Sequence, residues 1–183
     1  MDFVFAHKKE KDMKKIPLLL VLVMLSCLTA NAIYFDDEGI PEGYRGFADF
    51  SYTLGVGDWG KNHDRVGLMT SHGYQIAPQF FAGVGVGFNY YFDGRDELCS
   101  LPVFAHFRSD VLNNEITPYV DLRVGYSFMD VKGFYINPAL GCRFELTDNL
   151  GMNVGIGYTM QQADYIYSKQ NCGGLDFRFG IDF

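Results

Sequence analysis

After Ala32 the sequence contains no long unbroken run of apolar residues. A transmembrane helix needs roughly 20 consecutive, predominantly apolar residues, so a helical membrane protein is excluded for this part of the chain. The one extended apolar run, Ile16 to Leu25, lies near the amino terminus and is interrupted by Pro17. It is about half the length of a membrane-spanning helix.

This run is typical of a secretory signal peptide. Lys14 and Lys15 precede it, and Ala30-Asn31-Ala32 provides small residues at the cleavage positions. We therefore expect residues 1–32 to be a signal peptide cleaved after Ala32, with residues 1–12 lying before a start at Met13. Leu25-Ser26-Cys27 leaves an alternative open, in which Cys27 is acylated as in a lipoprotein.

Basic residues are scarce. The 183 residues include 15 Lys and Arg against 22 Asp and Glu. Cleavage after Ala32 removes five lysines and three acidic residues, so that 10 basic and 19 acidic residues remain, a net charge of −9. Such an acidic protein lacks the basic surface that binds phosphate backbones, and this argues against nucleic acid as a partner.

Cysteine is also rare. Three of the four cysteines follow Ala32, namely Cys99, Cys142 and Cys172, and an odd number in an exported protein cannot pair completely. Cys142 is expected to face outward as a small apolar residue. A Cys99–Cys172 disulfide stays open, because both lie near one rim but on strands expected on opposite sides. The spacing matches no zinc site, and we predict no metal and no cofactor.

What the chain has in abundance is alternation with a period of two. Residues 33–43 form an acidic lead-in to the fold. The eight segments that follow alternate between apolar and polar side chains: 44–57, 66–76, 80–92, 99–110, 118–128, 134–146, 150–161 and 174–183. Each is long enough to cross a bilayer as a tilted strand, which takes roughly 9–11 residues. Tight turns alternate with longer loops, the longest at Gln162–Gly173. The sequence therefore predicts an all-β fold, an eight-stranded antiparallel up-and-down transmembrane barrel.

The distribution of charge predicts which face meets lipid. All the charged residues within strands share the polar parity: Arg45, Asp49, Arg108, Asp110, Asp121, Arg123, Arg143, Glu145, Asp176, Arg178 and Asp182. The apolar parity carries aromatic residues near both strand ends, as at two bilayer interfaces. An Arg or Lys facing lipid at mid-depth costs roughly 2–4 kcal/mol, so this exclusion favours a membrane barrel over a soluble one. His72 is a polar residue on the apolar parity of the second strand. Either a bulge at Gly73 or a position at the membrane interface would accommodate it.

The interior of an eight-stranded barrel is about wide enough to be filled by side chains. Buried charges must then pair, because an uncompensated buried ion is costly. The predicted pairs are Arg45 with Asp182, Asp49 with Arg178, and Arg108 with Asp121. His106 is expected in the lumen near Arg108 and Asp110. The alternative is a narrow watery pore with solvated charges.

The eight strands resemble the small outer-membrane β-barrel proteins of Gram-negative bacteria, the porin-family domain that includes OmpA-like and OmpX-like barrels. The strand Gly83-Val84-Gly85-Val86-Gly87 and the ending Phe177-Arg178-Phe179-Gly180-Ile181-Asp182-Phe183 carry the resemblance, which covers Tyr44 to Phe183. It implies an outer-membrane location, with outer-membrane lipid and the barrel-assembly machinery as partners. It also implies that the machinery reads an assembly signal at Phe179, Ile181 and Phe183.

The sequence indicates no reaction. The spacing Gly83-x-Gly85-x-Gly87 lies within a strand and not in a nucleotide-binding loop, and His72 has no carboxylate on its face. We predict a non-enzymatic envelope protein with a filled or very narrow lumen. Two alternatives stay open: surface recognition through the loops at Asp58–Arg65 and Gln162–Gly173, or a weakly conducting small porin.

Overall fold

The computed structural model describes residues 40, 42–56, 64–92, 97–111, 116–147, 150–165 and 168–183, with the backbone alone at 97 and 163–171. The predicted signal peptide, Cys27, most of the acidic lead-in and most of the predicted loop at 58–65 lie outside these ranges. No helix in the described ranges is long and apolar enough to cross a membrane.

All eight predicted strands are present. They are β1 (Gly43–Val56), β2 (Asp64–Ala77), β3 (Phe80–Phe92), β4 (Glu97–Asp110), β5 (Ile116–Met129), β6 (Gly133–Thr147), β7 (Leu150–Tyr165) and β8 (Ser168–Asp182).

The strands form one closed barrel in chain order, and each pairs antiparallel with its neighbours. Closure is made by β1 and β8, from Phe47 opposite Asp182 to Val56 opposite Gly173. A closed ring leaves no unpaired edge, which is the condition for placing strands in lipid. The end that holds the start of β1, the end of β8 and the β2–β3 turn is called the turn side below, and the opposite end is the loop side.

The predicted loop at Gln162–Gly173 is wrong, because β7 and β8 continue through most of it. Their ladder runs on from Gln162 opposite Asn171 to Tyr165 opposite Ser168. Alternation of polarity reports a strand with one apolar face. A hairpin beyond the barrel rim contacts neither lipid nor lumen and need not alternate, so the pattern does not reveal it.

The two faces of the barrel have opposite chemistry. Large apolar side chains such as Tyr44, Leu68, Val84 and Phe179 point outward and are exposed. The charged residues predicted to point inward are buried, with the exception of Glu145, whose side chain is 38% exposed at the turn-side rim. This arrangement is the inverse of a soluble protein and suits a lipid exterior.

Two glycines make room for rings in the lumen. A Cβ atom on Gly85 of β3 would lie 2.5 Å from the ring of Phe104. A Cβ atom on Gly155 of β7 would lie 2.6 Å from the hydroxyl of Tyr119. Real side chains do not approach so closely, so these positions need glycine for the aromatic side chains to fill the interior.

Candidate functional site: the charged lumen

Three arginines share two aspartates at the turn side of the lumen. Arg45 Nη1 lies 2.8 Å from Asp110 Oδ2, and Arg45 Nη2 lies 3.0 Å from Asp182 Oδ2. Arg108 Nε reaches the other oxygen of Asp110 at 2.9 Å, and Arg143 Nε reaches Asp182 at 2.9 Å. Each carboxylate therefore bridges guanidinium groups from different strands and links them across the lumen.

A second cluster lies in the middle of the barrel. Arg178 Nη1 donates to Asp121 Oδ2 at 2.5 Å, and Arg123 Nη2 pairs with Asp49. Arg123 also lies 3.6 Å from Asp121. His106 Nε2 is 3.5 Å from the same carboxylate. Asp121 therefore sits at the centre of a network from three other strands: β4, β8 and, through Arg123, β1.

The register at the closing seam differs from the prediction by two residues. Asp182 lies opposite Phe47, and Arg178 lies opposite Ser51. The contact between Arg45 and Asp182 nevertheless forms, diagonally, because the arginine side chain spans the offset. The predicted pair of Asp49 with Arg178 does not form, since Asp49 pairs with Arg123 across the lumen.

Arg108 does lie opposite Asp121 in the β4–β5 ladder, as predicted. Its ion pair, however, is with Asp110 on its own strand. His106 is in the lumen, as predicted. Its partners differ from the expected Arg108 and Asp110, because its ring contacts Ser71 Oγ at 2.8 Å and faces Asp121. In a narrow lumen a guanidinium group reaches several strands, so ladder opposition alone does not determine the partner.

Polar residues continue the network toward the loop side. Asp176 accepts hydrogen bonds from Thr53 Oγ1 at 2.7 Å and from Asn137 Nδ2 at 3.0 Å, and Arg178 lies 3.4 Å away. Above it, the Tyr91 hydroxyl donates to Gln161 Oε1 at 2.8 Å. Hydrogen-bonded polar groups therefore extend from the middle of the lumen toward its loop side.

Aromatic rings fill the space between the charged clusters. Phe47 and Phe81 meet edge to face at 4.9 Å, and each lies 5.2 Å from the ring of His106. The guanidinium carbon of Arg108 sits 3.7 Å above the ring of Tyr119, a favourable cation–π distance. The mid-section of the barrel is thus packed with side chains.

Several residues of this lumen are not predicted by the sequence analysis, among them Arg65, Asn137 and Tyr119. Arg65 lies inside β2 and is buried, whereas the sequence predicts that it ends the loop at 58–65. Asn137 and Tyr119 are buried on the polar parity of their strands, but the charge pattern does not reveal them because both side chains are neutral. Extending that parity to neutral polar residues would have found the latter two.

Solved structures share this architecture. Neisserial surface protein A superposes with a TM-score of 0.58 at 14% identity, covering 78% of this chain and 97% of that one. The protein has the fold of the small outer-membrane β-barrels. The outer membrane enzyme PagL matches with a TM-score of 0.47 at 13% identity, over 74% of this chain and 99% of that one. The N-terminal β-barrel domain of Pseudomonas aeruginosa OprF matches with a TM-score of 0.44 at 13% identity, over 76% and 96%. No family model and no curated protein sequence matches the chain.

The residues predicted to form an assembly signal lie at the end of the barrel, Phe179 and Ile181 on β8 and Phe183 directly after it. Phe179, Ile181 and Phe183 all point outward and are exposed. The backbone of Phe183 exchanges hydrogen bonds with Gly46, at 2.7 Å and 3.0 Å. The three side chains therefore form part of the lipid-facing surface at the turn side of the seam.

His72 also points outward, and no bulge occurs at Gly73, since the register shift of β2 lies between Gln75 and Ala77. Its Nδ1 is 2.6 Å from the Tyr44 hydroxyl, and its Nε2 is 3.0 Å from Thr70 Oγ1. The Thr70 hydroxyl donates to the carbonyl of Phe47, so it accepts from Nε2–H, and Nδ1 accepts from Tyr44. With both ring nitrogens hydrogen-bonded, the histidine side chain can lie on the outer face beside the rings of Tyr44 and Phe183.

The cysteines of the barrel are not paired with one another. Cys99 and Cys172 are free, and the disulfide left open by the sequence is not formed. Cys172 is buried with Tyr91 and Val131. Among the described residues, no three His, Cys, Asp or Glu side chains are arranged to bind a metal ion.

Proposed function

We propose that this protein is a non-enzymatic, integral protein of the bacterial outer membrane that has a structural role in the envelope and whose lumen is closed to ions. The fold and the apolar exterior support the location. The proposal includes export through a signal peptide at residues 1–32, cleaved after Ala32, and outer-membrane lipid as the partner that surrounds the barrel. It does not include nucleic acid as a partner, because the net charge is acidic.

The observation that carries this proposal is the packed middle of the lumen. Asp121 and Arg178 bond to each other there, and the rings of Phe47, Phe81 and His106 pack edge to face in the same part of the lumen. A conducting pore would need a continuous column of water past these groups. The buried charges are also paired with one another, so they are not available to bind permeating ions.

Single-channel recording in planar lipid bilayers tests the closed lumen. We expect no discrete openings from the purified protein, and openings from the double variant Phe47→Ala, Phe81→Ala, which removes two rings from the packed middle of the lumen. Phe50→Ala is the matched control, because Phe50 lies on the same strand but faces outward. Discrete steps from the unmodified protein would favour the alternative of a small porin.

For insertion, we propose that the barrel-assembly machinery reads Phe179, Ile181 and Phe183. Phe179 and Ile181 lie on the strand that closes the ring and Phe183 follows it directly, and all three side chains are outward and accessible. Assembly of variants in vesicles with and without the machinery would show whether the three residues act through it.

A second candidate function is surface recognition, and the extended β7–β8 hairpin favours it. The ladder of β6 with β7 extends to Gln161, and that of β1 with β8 extends to Gly173. Among the described residues, the hairpin beyond these positions pairs only with itself. Both edges of a free ribbon can add a strand of a partner. Replacing residues 163–170 with an Asn-Gly turn should leave the barrel folded and remove binding to host surfaces or envelope components. Unchanged binding would contradict this function.

A further inference from the structure

The turn between β5 and β6, residues 130–132, bends inward and is called the cap below. Its central side chain, Val131, is only 2% exposed although it belongs to neither strand. Val131 forms one apolar cluster with Tyr91 of β3 and Cys172 of β8, and Leu98 packs against this cluster. In the ring, β4 separates the cap from β3, and β7 separates it from β8. The cap therefore reaches over the loop-side end of the lumen.

Buried hydrogen bonds connect the cap to strands on the other side of the lumen. The Tyr91 hydroxyl of β3 donates to Gln161 Oε1 of β7 at 2.8 Å. Gln161 Nε2 in turn donates to the carbonyl oxygen of Val131 at 2.6 Å. The side chains of Tyr91 and Gln161 are buried. The cap is thus held in place by two strands that it does not join.

The attachment of the cap to the neighbouring strand β4 is weaker. The backbone nitrogens of Asp130 and Val131 donate to the carbonyl oxygen of Cys99 at 3.2 Å and 3.3 Å, and Asp130 Oδ2 accepts from the Cys99 nitrogen at 3.0 Å. The bond to Asp130 Oδ2 is exposed, and water competes for such a bond. A segment with few contacts can open locally while the rest of the protein stays folded.

The backbone on both sides of the cap has unusual dihedral angles. Met129 has a φ of 74°, in the left-handed region that residues other than glycine seldom adopt. Gly133 has a φ of 146°, and a Cβ atom there would lie 2.4 Å from the carbonyl oxygen of Gln162. A strained conformation such as that of Met129 persists only where the surrounding contacts hold it, and it is common in switch regions. Met129 and Gly133 are therefore suited to act as hinges.

We propose that residues 130–132 form a hinged cap, shut in this structure, that controls access to the lumen from the loop side. The proposal rests on the closed lumen proposed above and adds a second barrier to the packed middle. In the double variant Phe47→Ala, Phe81→Ala the cap still covers the loop-side end. Its opening and closing then account for the discrete steps expected from that variant.

Cys172 reports on the cap because it is buried in the same cluster as Val131. The changes Cys27→Ser, Cys99→Ser and Cys142→Ala leave Cys172 as the one cysteine of the chain. The folded protein in detergent micelles is treated with a hydrophilic maleimide, and the protein unfolded in urea gives the rate for an open thiol. Labelling of the folded protein requires local opening, so we expect it to be slower by at least about tenfold.

Two variants loosen the cap at different contacts. Val131→Gly removes the buried side chain and should speed the labelling of Cys172 by at least about tenfold. Asp130→Ala removes one hydrogen bond to the Cys99 nitrogen and should speed it about fivefold. Lys132→Ala is the matched control, because Lys132 is exposed on the same turn, and should leave the rate unchanged. Gel mobility shows whether each variant is folded.

Single-channel recording gives a second measurement. In the background Phe47→Ala, Phe81→Ala, the further change Asp130→Ala should raise the fraction of time spent open, whereas Lys132→Ala should not. Equal open fractions in these two variants would overturn the proposal. So would labelling of folded Cys172 at the rate seen in urea, or labelling that neither Val131→Gly nor Asp130→Ala accelerates.

The two measurements separate the cap from the closed lumen. Rapid labelling of Cys172 in a protein that shows no channel openings would overturn the cap and leave the closed lumen intact. Openings of the otherwise unmodified protein that become more frequent in Asp130→Ala would contradict the closed lumen and still support the cap.

Discussion

Removing one partner of the Asp121–Arg178 pair would show whether the lumen is packed or watery. Asp121→Ala leaves the Arg178 guanidinium buried with Asn137 at 2.8 Å and Asp176 at 3.4 Å. Breaking a buried pair costs roughly 3–5 kcal/mol. Because Arg178 keeps these two contacts, we expect the lower end, about 3 kcal/mol. That is about a 100-fold loss in the folding equilibrium constant.

The reciprocal change gives a double-mutant cycle. Arg178→Met leaves Asp121 with Arg123 at 3.6 Å and His106 at 3.5 Å, and should cost about as much. In the double variant no uncompensated charge arises from this pair. Its cost should therefore be smaller than the sum of the single costs by at least about 1.5 kcal/mol, within the range seen for residues in contact.

The assay is urea unfolding in phospholipid vesicles, followed by fluorescence of the single tryptophan, Trp59, and by gel mobility. Glu145→Gln is the control and should change the free energy of unfolding by less than about 0.5 kcal/mol, as for a surface residue. Single costs below about 1 kcal/mol, or costs that add within about 0.5 kcal/mol, would refute the reasoning. The charges would then be solvated in a watery pore.

Three further changes probe other parts of the barrel. Gly85→Val should destabilise by roughly 1–3 kcal/mol through overpacking against Phe104, and a urea midpoint equal to that of the unmodified protein would contradict the packing. Tyr44→Phe removes the donor to His72 and should cost about 1 kcal/mol, measured in the same titration; no change would mean that the bond is replaced by water. Phe183→Ala should slow machinery-dependent assembly in a gel-shift time course more than spontaneous folding into detergent, and equal slowing in both would indicate a packing role alone.

The sequence predicted the two faces of the barrel well because lipid tolerates few exceptions. A charged residue on the outer wall is costly, so the parity of Arg123 or Asp121 is strictly constrained and visible. Neutral polar residues such as Asn137 carry less information, since they occur at rims and in loops as well. For this reason the sequence predicts the charged residues of the lumen but not its neutral polar residues.

Register and pairing could not be predicted in the same way. A shift of two residues keeps every side chain on its own face, so alternation does not distinguish Arg45 opposite Asp182 from Phe47 opposite Asp182. The partner of Asp49 depends on the reach of Arg123 across the lumen, which no linear pattern encodes. Arg65 is not predicted to lie in the lumen, because β2 begins at Asp64 and the alternation of polarity is apparent only from residue 66.

The seam between β1 and β8 has a consequence for biogenesis. Arg45 and Asp182, which meet there, are separated by 137 positions in the chain, and Gly46 is bonded to Phe183. Contacts between such distant residues form late and slowly. Closure of the barrel therefore has to wait until β8 has been synthesised, and until then β1 has an unpaired edge that can pair with other chains.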